Sequence, residues 1–269
     1  MRGIVIVAGG DRYFLNAYIN IKSLREHLKC NLPIEVFYLG DFDLSKKRRD
    51  ILETFKDVKC INIGELNPEN TICTKENGGW QAKTYSLLKS AFTEILFLDA
   101  DSFPRFNPES LFELESYQKY GNLFFKDKEG FELTTDFFQK NKEFLGFDFN
   151  FTIDCLDSGQ FLINKDKCLQ SLIYANEFNL NPATYEIMYG DKDTFILGFI
   201  KAKQFINLND TYPELVRNTY VHSINNERWF CHLILESKLK YNGEITYPVK
   251  YFAYQQHVRN AISKLVEIL

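Results

Sequence analysis

"LFLDADSFPRF" (Leu96–Phe106) runs an apolar stretch straight into two carboxylates, Asp99 and Asp101, with Ala100 between them. "EILFLD" (94–99) predicts a buried strand, and the prolines of "DSFPRFNP" predict its end. In an open α/β sheet, ligands sit beyond the carboxyl ends of the strands. The spacing lets one carboxylate bind a divalent cation directly while the other orients through water or a ribose hydroxyl. Hard cations such as Mg²⁺ or Mn²⁺ take oxygen ligands and often share them with substrate phosphates. Asp is also common in solvated turns, so the pair alone does not decide the matter.

The flanking sequence supplies the sheet. "GIVIVA" (3–8) and "IEVFYLG" (34–40) predict buried strands, and "VKCINI" (58–63) a third. Between them "FLNAYINIKSLREHL" (14–28) has helical apolar spacing, and "SKKRRDILETF" (45–55) a helix with Ser45 at its N-cap. "WQAKTYSLLKSAF" (80–92) is helical, after a loop expected over 64–79. This is the alternation of an open, mostly parallel α/β sheet. A phosphatase of the haloacid dehalogenase type would carry its DxD on the first strand, followed by Gly-Thr. Here the pair ends the fourth strand and runs into Ser-Phe.

Downstream, "QFLIN" (160–164) predicts a strand, "KDKCLQSLIYANEF" (165–178) and "DKDTFILGFIKA" (191–202) predict helices, and "TYVHSI" and "RWFCHLIL" around "NNE" predict a hairpin. "YQQHVRNAISKLVEI" predicts a terminal helix. With no linker or repeat, residues 1–269 are expected to form a single domain: a nucleotide-binding half to about 115 and an acceptor half from about 116.

Composition narrows the classes. The chain has 269 residues, 45% of them hydrophobic and 16% aromatic, enough for a packed core. A net charge of −4 gives no general basic surface, so a nucleic-acid partner is not expected. No apolar run approaches the roughly 18–20 residues of a membrane span, and no signal peptide is evident. The expectation is a soluble, cytoplasmic chain. Six cysteines, at 30, 60, 73, 155, 168 and 231, form no CxxC pair, which argues against zinc and for free thiols.

Several motifs keep the acidic pair company. In "DSGQFLIN", Gly159 beside Ser158 permits close backbone approach, and Asp157 suits sugar hydroxyls. In "YGDKDTFILGF", Asp191 suits a helix N-cap and Asp193 a first turn, positions where acids need no function. "VAGGDRYF" is neither GxGxxG nor a P-loop, yet Gly9 and Gly10 allow backbone to approach a nucleotide, and Asp11 and Tyr13 suit base and ribose.

Together, "WQAKTYSLLKSAFTEILFLDADSFPRFNPESLF" (80–112), 157–164 and 190–199 resemble the metal-dependent GT-A glycosyltransferases. The nearest resemblance is to the fungal-type α-mannosyltransferases; the glycogenin and lipopolysaccharide galactosyltransferase family is more distant. The resemblance implies a Rossmann-like mixed, mostly parallel sheet flanked by helices. It also implies a Mn²⁺ or Mg²⁺ cofactor on Asp99 and Asp101, and a nucleotide-sugar donor, GDP-mannose or a UDP-hexose. The acceptor would be a glycan or other hydroxyl, and anomeric configuration would be retained. It implies donor contacts from Ala8, Gly9, Gly10, Asp11, Tyr13, Lys83, Asp99, Ala100, Ser158, Gly159 and Gln160. Catalytic roles fall to Asp157, Asp191, Lys192 and Asp193; Lys192 stands where related galactosyltransferases carry Gln. It implies a third metal ligand from a late histidine: His232, in "RWFCHLILESKLKY", is favoured over His222. His27 and His257 are expected at the surface.

Two rivals remain. A sugar-nucleotide nucleotidyltransferase shares the Gly-rich start, but "AGGDRYF" does not extend into a basic GxGxR…K loop. A non-catalytic glycan-binding protein would not need DxD, SGQ and GDKD intact.

Overall fold

The computed structural model describes residues 1–66, 79–216 and 218–234, with two further short strands, Lys240–Tyr241 and Ile245–Thr246. The chain opens with β1 (Arg2–Val7), α1 (Gly10–Lys22), β2 (Ile34–Tyr38), α2 (Lys46–Leu52) and β3 (Val58–Asn62). Next come α3 (Trp80–Lys89), β4 (Glu94–Asp99) and β5 (Ser102–Pro104). The second half supplies β6 (Asn122–Lys126), β7 (Leu156–Asn164), α4 (Leu169–Leu180) and α5 (Lys192–Lys201). It closes on β8 (Thr219–Ile224) and β9 (Glu227–Leu233).

The main sheet has the order β3-β2-β1-β4-β7-β6. The first four strands run parallel, and β7 runs antiparallel to both β4 and β6. Strand alternation splits the continuous apolar runs between two cores. Ile4, Ile6, Leu96, Leu98 and Leu162 face the layer of α1 and α2. Val5, Ile95, Phe97, Phe161 and Ile163 face the layer of α3, α4 and α5. In that second layer Phe161 stacks on Phe97 (ring centroids 5.0 Å apart) and on Phe124 (4.9 Å), and tilts against Phe195 (5.0 Å). Among the described residues both faces of the sheet are therefore covered, which leaves its rim to meet a ligand.

Some elements differ from the sequence reading. The first helix begins four residues earlier than its apolar spacing predicts, at Gly10, and closes in a wider π-type turn in which Leu28 N–H donates to the Ser23 carbonyl (2.9 Å). "DSFPRFNP" does not simply end a strand. Ser102–Pro104 re-forms as β5 and pairs antiparallel with β9, in the register His232↔Ser102 and Phe230↔Pro104. Proline is tolerated because β5 is the outer strand of this smaller sheet. The predicted hairpin is present: Asn225 and Asn226 both take positive φ (51° and 65°), as a two-residue I′ turn requires. The terminal helix expected over 254–268, Cys73, His257 and residues 67–78 of the expected loop lie outside the described residues; Ile63–Leu66 is a short helix where the sequence predicts the loop to begin. Cys30, Cys60, Cys155, Cys168 and Cys231 carry free thiols. Among the described residues no helix is long and apolar enough to cross a membrane.

Removing Phe161's ring would leave the aromatic stack a hole that backbone on both sides prevents from collapsing. Phe161→Ala is expected to cost about 3–5 kcal/mol in chemical denaturation, with the denaturant slope unchanged.

Candidate active site

Asp99 ends β4 in register with Val7 of β1, at the carboxyl rim of the parallel strands. The turn through Ala100 and Asp101 is held from below by Asn20 of α1. Its Nδ2 donates to the carbonyls of Ser102 (2.7 Å) and Ala100 (3.3 Å). Ser102 Oγ donates to Gln160 Oε1 on β7 (2.6 Å), and Leu233 N–H donates to the Asp101 carbonyl (3.0 Å). Three separate segments thus fix the short turn that carries both acids.

The β5–β9 pairing brings His232 beside them. Its Nε2 lies 3.5 Å from Asp101 Oδ1 and 3.9 Å from Asp99 Oδ2. One donor atom from each of Asp99, Asp101 and His232 falls within 4.8 Å of the others. Two carboxylates and an imidazole suit Mn²⁺ or Mg²⁺ in donor chemistry. The charge balance fits as well. Burial disfavours a charged His232, yet Asp157 and Asp101 outweigh it and raise the imidazole to about 10. A site that pulls a proton this strongly is short of positive charge.

Among the described residues, the lysine that reaches these acids is already committed. Lys83, on α3, is 6% exposed, so it is not a solvated surface charge. Its Nζ lies 3.1 Å from Asp99 Oδ1 and 3.0 Å from Asp191 Oδ2, and donates to Ser158 Oγ (3.0 Å) and the Ser158 carbonyl (3.2 Å). Burial opposes its charge, but Asp191 and Asp99 hold its pKa above the ordinary lysine value. Burial likewise raises the Asp99 carboxyl, against the pull of Lys83. Asp191 occupies the N-cap position of α5 but makes no side-chain cap bond. Its carboxylate turns instead to Lys83 and accepts from Ser158 Oγ (3.1 Å).

Asp157 has a different setting from the one its motif suggests. Oδ2 accepts from His222 Nε2 (2.6 Å) and His232 Nδ1 (2.9 Å), and Oδ1 accepts from Gly159 N–H (3.0 Å). Burial would raise this carboxyl, but the two imidazoles hold it well below the usual carboxylate range. Gln160 lies within 3.5 Å of it as well as on Ser102. A Cβ on Gly159 would lie 2.5–2.9 Å from the His232 ring, so glycine here makes room for an imidazole. Gly9 is constrained in the same way: its Cβ would fall 1.9 Å from Asp43 Oδ2. Gly10 takes φ +64° as α1 begins. Ala8 is buried, Tyr13 is exposed, and the side chain of Asp11 lies outside the described residues.

Lys192 and Asp193 form a neighbouring group. Lys192 pairs with Asp127, and burial against it is outweighed by Asp193 and Asp127, which raise its pKa. Asp193 Oδ1 accepts from Leu156 N–H (3.3 Å), and burial lifts its carboxyl to about 6.

Comparison with known proteins bears on this rim of acids. The family model described as "Mannosyltransferase putative" matches residues 1–143 and 129–235. The chain belongs to this family. It is 29% identical over 246 residues to alpha-1,2-mannosyltransferase MNN21 of Candida albicans, covering 72% of this chain and 36% of that protein. It is also 29% identical over 233 residues to alpha-1,2-mannosyltransferase MNN2 of Saccharomyces cerevisiae, covering 71% and 39%. The chain thus spans little more than a third of the length of these relatives. Among solved structures, the galactosyltransferase LgtC, in complex with donor and acceptor sugar analogs, superposes with a TM-score of 0.57 at 14% identity, covering 98% of this chain and 96% of that one. The bifunctional glycosyltransferase WbbM, in apo form, gives 0.51 at 12% identity, over 77% and 38%. These likenesses show the GT-A fold.

Within this GT-A fold, Asp99, Asp101, His232, Lys83, Ser158, Asp157 and Asp191 form one connected cluster. Asp193 and Lys192 sit beside it. The sequence reading missed Asn20, Asp127 and Asp43. Asn20 is a fully buried polar residue on an apolar helix face, which is the only advance signal among them.

Two outcomes follow from this geometry. Gly159→Ala is expected to displace the His232 ring and weaken Mn²⁺ binding at least tenfold in a titration followed by electron paramagnetic resonance. Asp193 binds its proton more tightly folded than unfolded, so the stability it contributes is full below about pH 4 and lost as pH rises to about 6. Against Asp193→Asn, the wild type should lose on the order of 2 kcal/mol of unfolding free energy between pH 4 and 7.

Proposed function

We propose that the chain is a metal-dependent, retaining hexosyltransferase. It moves a hexose from a nucleotide sugar, GDP-mannose before a UDP-hexose, to a hydroxyl of a glycan or other acceptor. The observation that carries this reading is the convergence of Asp99, Asp101 and His232 beside buried Lys83, in a chain of a mannosyltransferase family. Curated relatives named alpha-1,2-mannosyltransferases favour mannose as the sugar.

Asp99, Asp101 and His232 would hold the cation. When bound, it neutralises charge on the donor's diphosphate and so stabilises the leaving group. Lys83 adds a fixed positive charge at the same rim, kept protonated and aimed by Asp99, Asp191 and Ser158. Asp191, drawn off its cap position, presents negative charge where an oxocarbenium-like sugar would develop positive charge. Asp157 contributes by ordering the imidazoles, since both of its oxygens are already engaged. Lys192 and Asp193 shape the start of α5 next to Asp191. Ala8, Gly9 and Gly10 give the nucleotide a backbone edge at the end of β1.

The test is a thermal-shift screen with GDP, UDP and their sugars, with and without Mn²⁺. Ligand at a hundred times its dissociation constant stabilises by about 2.7 kcal/mol, which should raise the melting temperature by roughly 5 °C in a chain of this length. GDP-mannose with Mn²⁺ is expected to give the largest shift. EDTA or Asp101→Asn should abolish it, and turnover should release nucleoside diphosphate. Turnover indifferent to EDTA defeats the metal-centred reading; pyrophosphate as product would favour a nucleotidyltransferase; glycan binding with no nucleotide binding would favour a lectin-like role.

A further inference from the structure

We infer that His222 is a positioning residue: together with Asp157 it sets the tautomer of His232, so that the Nε2 lone pair of His232 faces Asp99 and Asp101. The inference rests on the cation reading given above, but its evidence is separate. A single carboxylate oxygen, Asp157 Oδ2, lies 2.6 Å from His222 Nε2 and 2.9 Å from His232 Nδ1. An ionised carboxylate only accepts, so both of those nitrogens must carry protons. With its proton on Nδ1, a neutral His232 has its lone pair on Nε2, the nitrogen 3.5 Å from Asp101 and 3.9 Å from Asp99. The opposite tautomer would aim an N–H at the place a cation would occupy.

His222 makes this arrangement rigid. It is 1% exposed, on β8, with its ring edge-on to Phe125 (5.3 Å between centroids). Its Nδ1 is buried without a hydrogen-bond partner among the described residues, so a proton there would have nothing to accept it. The proton therefore belongs on Nε2, toward Asp157. Asp157 Oδ1 is tied to Gly159 N–H, so the carboxylate cannot swing away from the pair. Gly159 in turn leaves the space that the His232 ring fills. The order is His222, Asp157, His232, then the two acids; of the two imidazoles, His232 is the one with a nitrogen facing them. Outer partners of metal-binding imidazoles typically change affinity 10–100-fold when removed.

Two substitutions at His222 separate a positioning role from a packing role. His222→Phe keeps a ring against Phe125 but removes the donor to the buried Asp157 carboxylate, so the cation-free melting temperature should fall. Its Mn²⁺ affinity, read by paramagnetic resonance, should fall about tenfold. His222→Gln keeps an N–H donor for Asp157 and should stay within about threefold of the wild type. In the cation-free protein, ¹⁵N imidazole spectra should show the His222 proton on Nε2. With Mg²⁺ bound, His232 should show its proton on Nδ1. If the Phe variant binds Mn²⁺ as the wild type does, if the Gln variant is as weak as Phe, or if His222 is protonated on Nδ1, the inference is overturned. If the wild type binds neither Mn²⁺ nor Mg²⁺, the cation reading fails. The His222 spectrum then still decides whether this side chain donates to Asp157.

Discussion

Backbone pairing between β5 and β9 is the constraint on which the site depends. It is short, with only Ser102, Phe103 and Pro104 on one side. Yet it closes a small sheet over the rim of a large one and sets His232 against Ser102, directly after the acidic pair. Without it the hairpin would carry its two histidines elsewhere, and Asp99 and Asp101 would be two acids on a turn. The supporting bonds serve the same junction: Asn20 from below, Gln160 from the side, and Leu233 N–H onto the Asp101 carbonyl.

Electrostatics then explain why so many acids can share the rim. Asp99, Asp101, Asp157 and Asp191 would repel one another in isolation, and burial strengthens that repulsion. Lys83 answers Asp99 and Asp191, while the two imidazoles answer Asp157. Asp101 faces the Nε2 of His232 at 3.5 Å, so one imidazole stands between Asp157 and Asp101.

Much of this was legible from the sequence. Unbroken apolar runs such as "IVIV" and "ILFL" can be buried on both faces only in a covered sheet, so the layers and the position of Asp99 followed from them. The Asn-Asn turn announced the hairpin. The partners of individual side chains did not follow. Asp157 reads as a sugar contact from its motif because nothing local reveals two imidazoles arriving from a distant hairpin. Asp191 reads as a cap because the position is right; Lys83, from another helix, takes the carboxylate away. Gly159 reads as a place of close backbone approach; in the structure the approach is by a side chain of this same protein. The choice between His222 and His232 turns on register within the hairpin, which decides that one ring meets the acids and the other stands behind Asp157.

Pro104 gives this arrangement a further property. A rim that must stay open to ligands cannot be shielded by a covering helix, and an outer strand beside it invites recruitment by another molecule's backbone. A proline on that outer strand has no N–H to offer, and the strand is only Ser102–Pro104 long. The ladder that assembles the site is thus poorly suited to being extended, so intermolecular strand addition is discouraged along this outer strand.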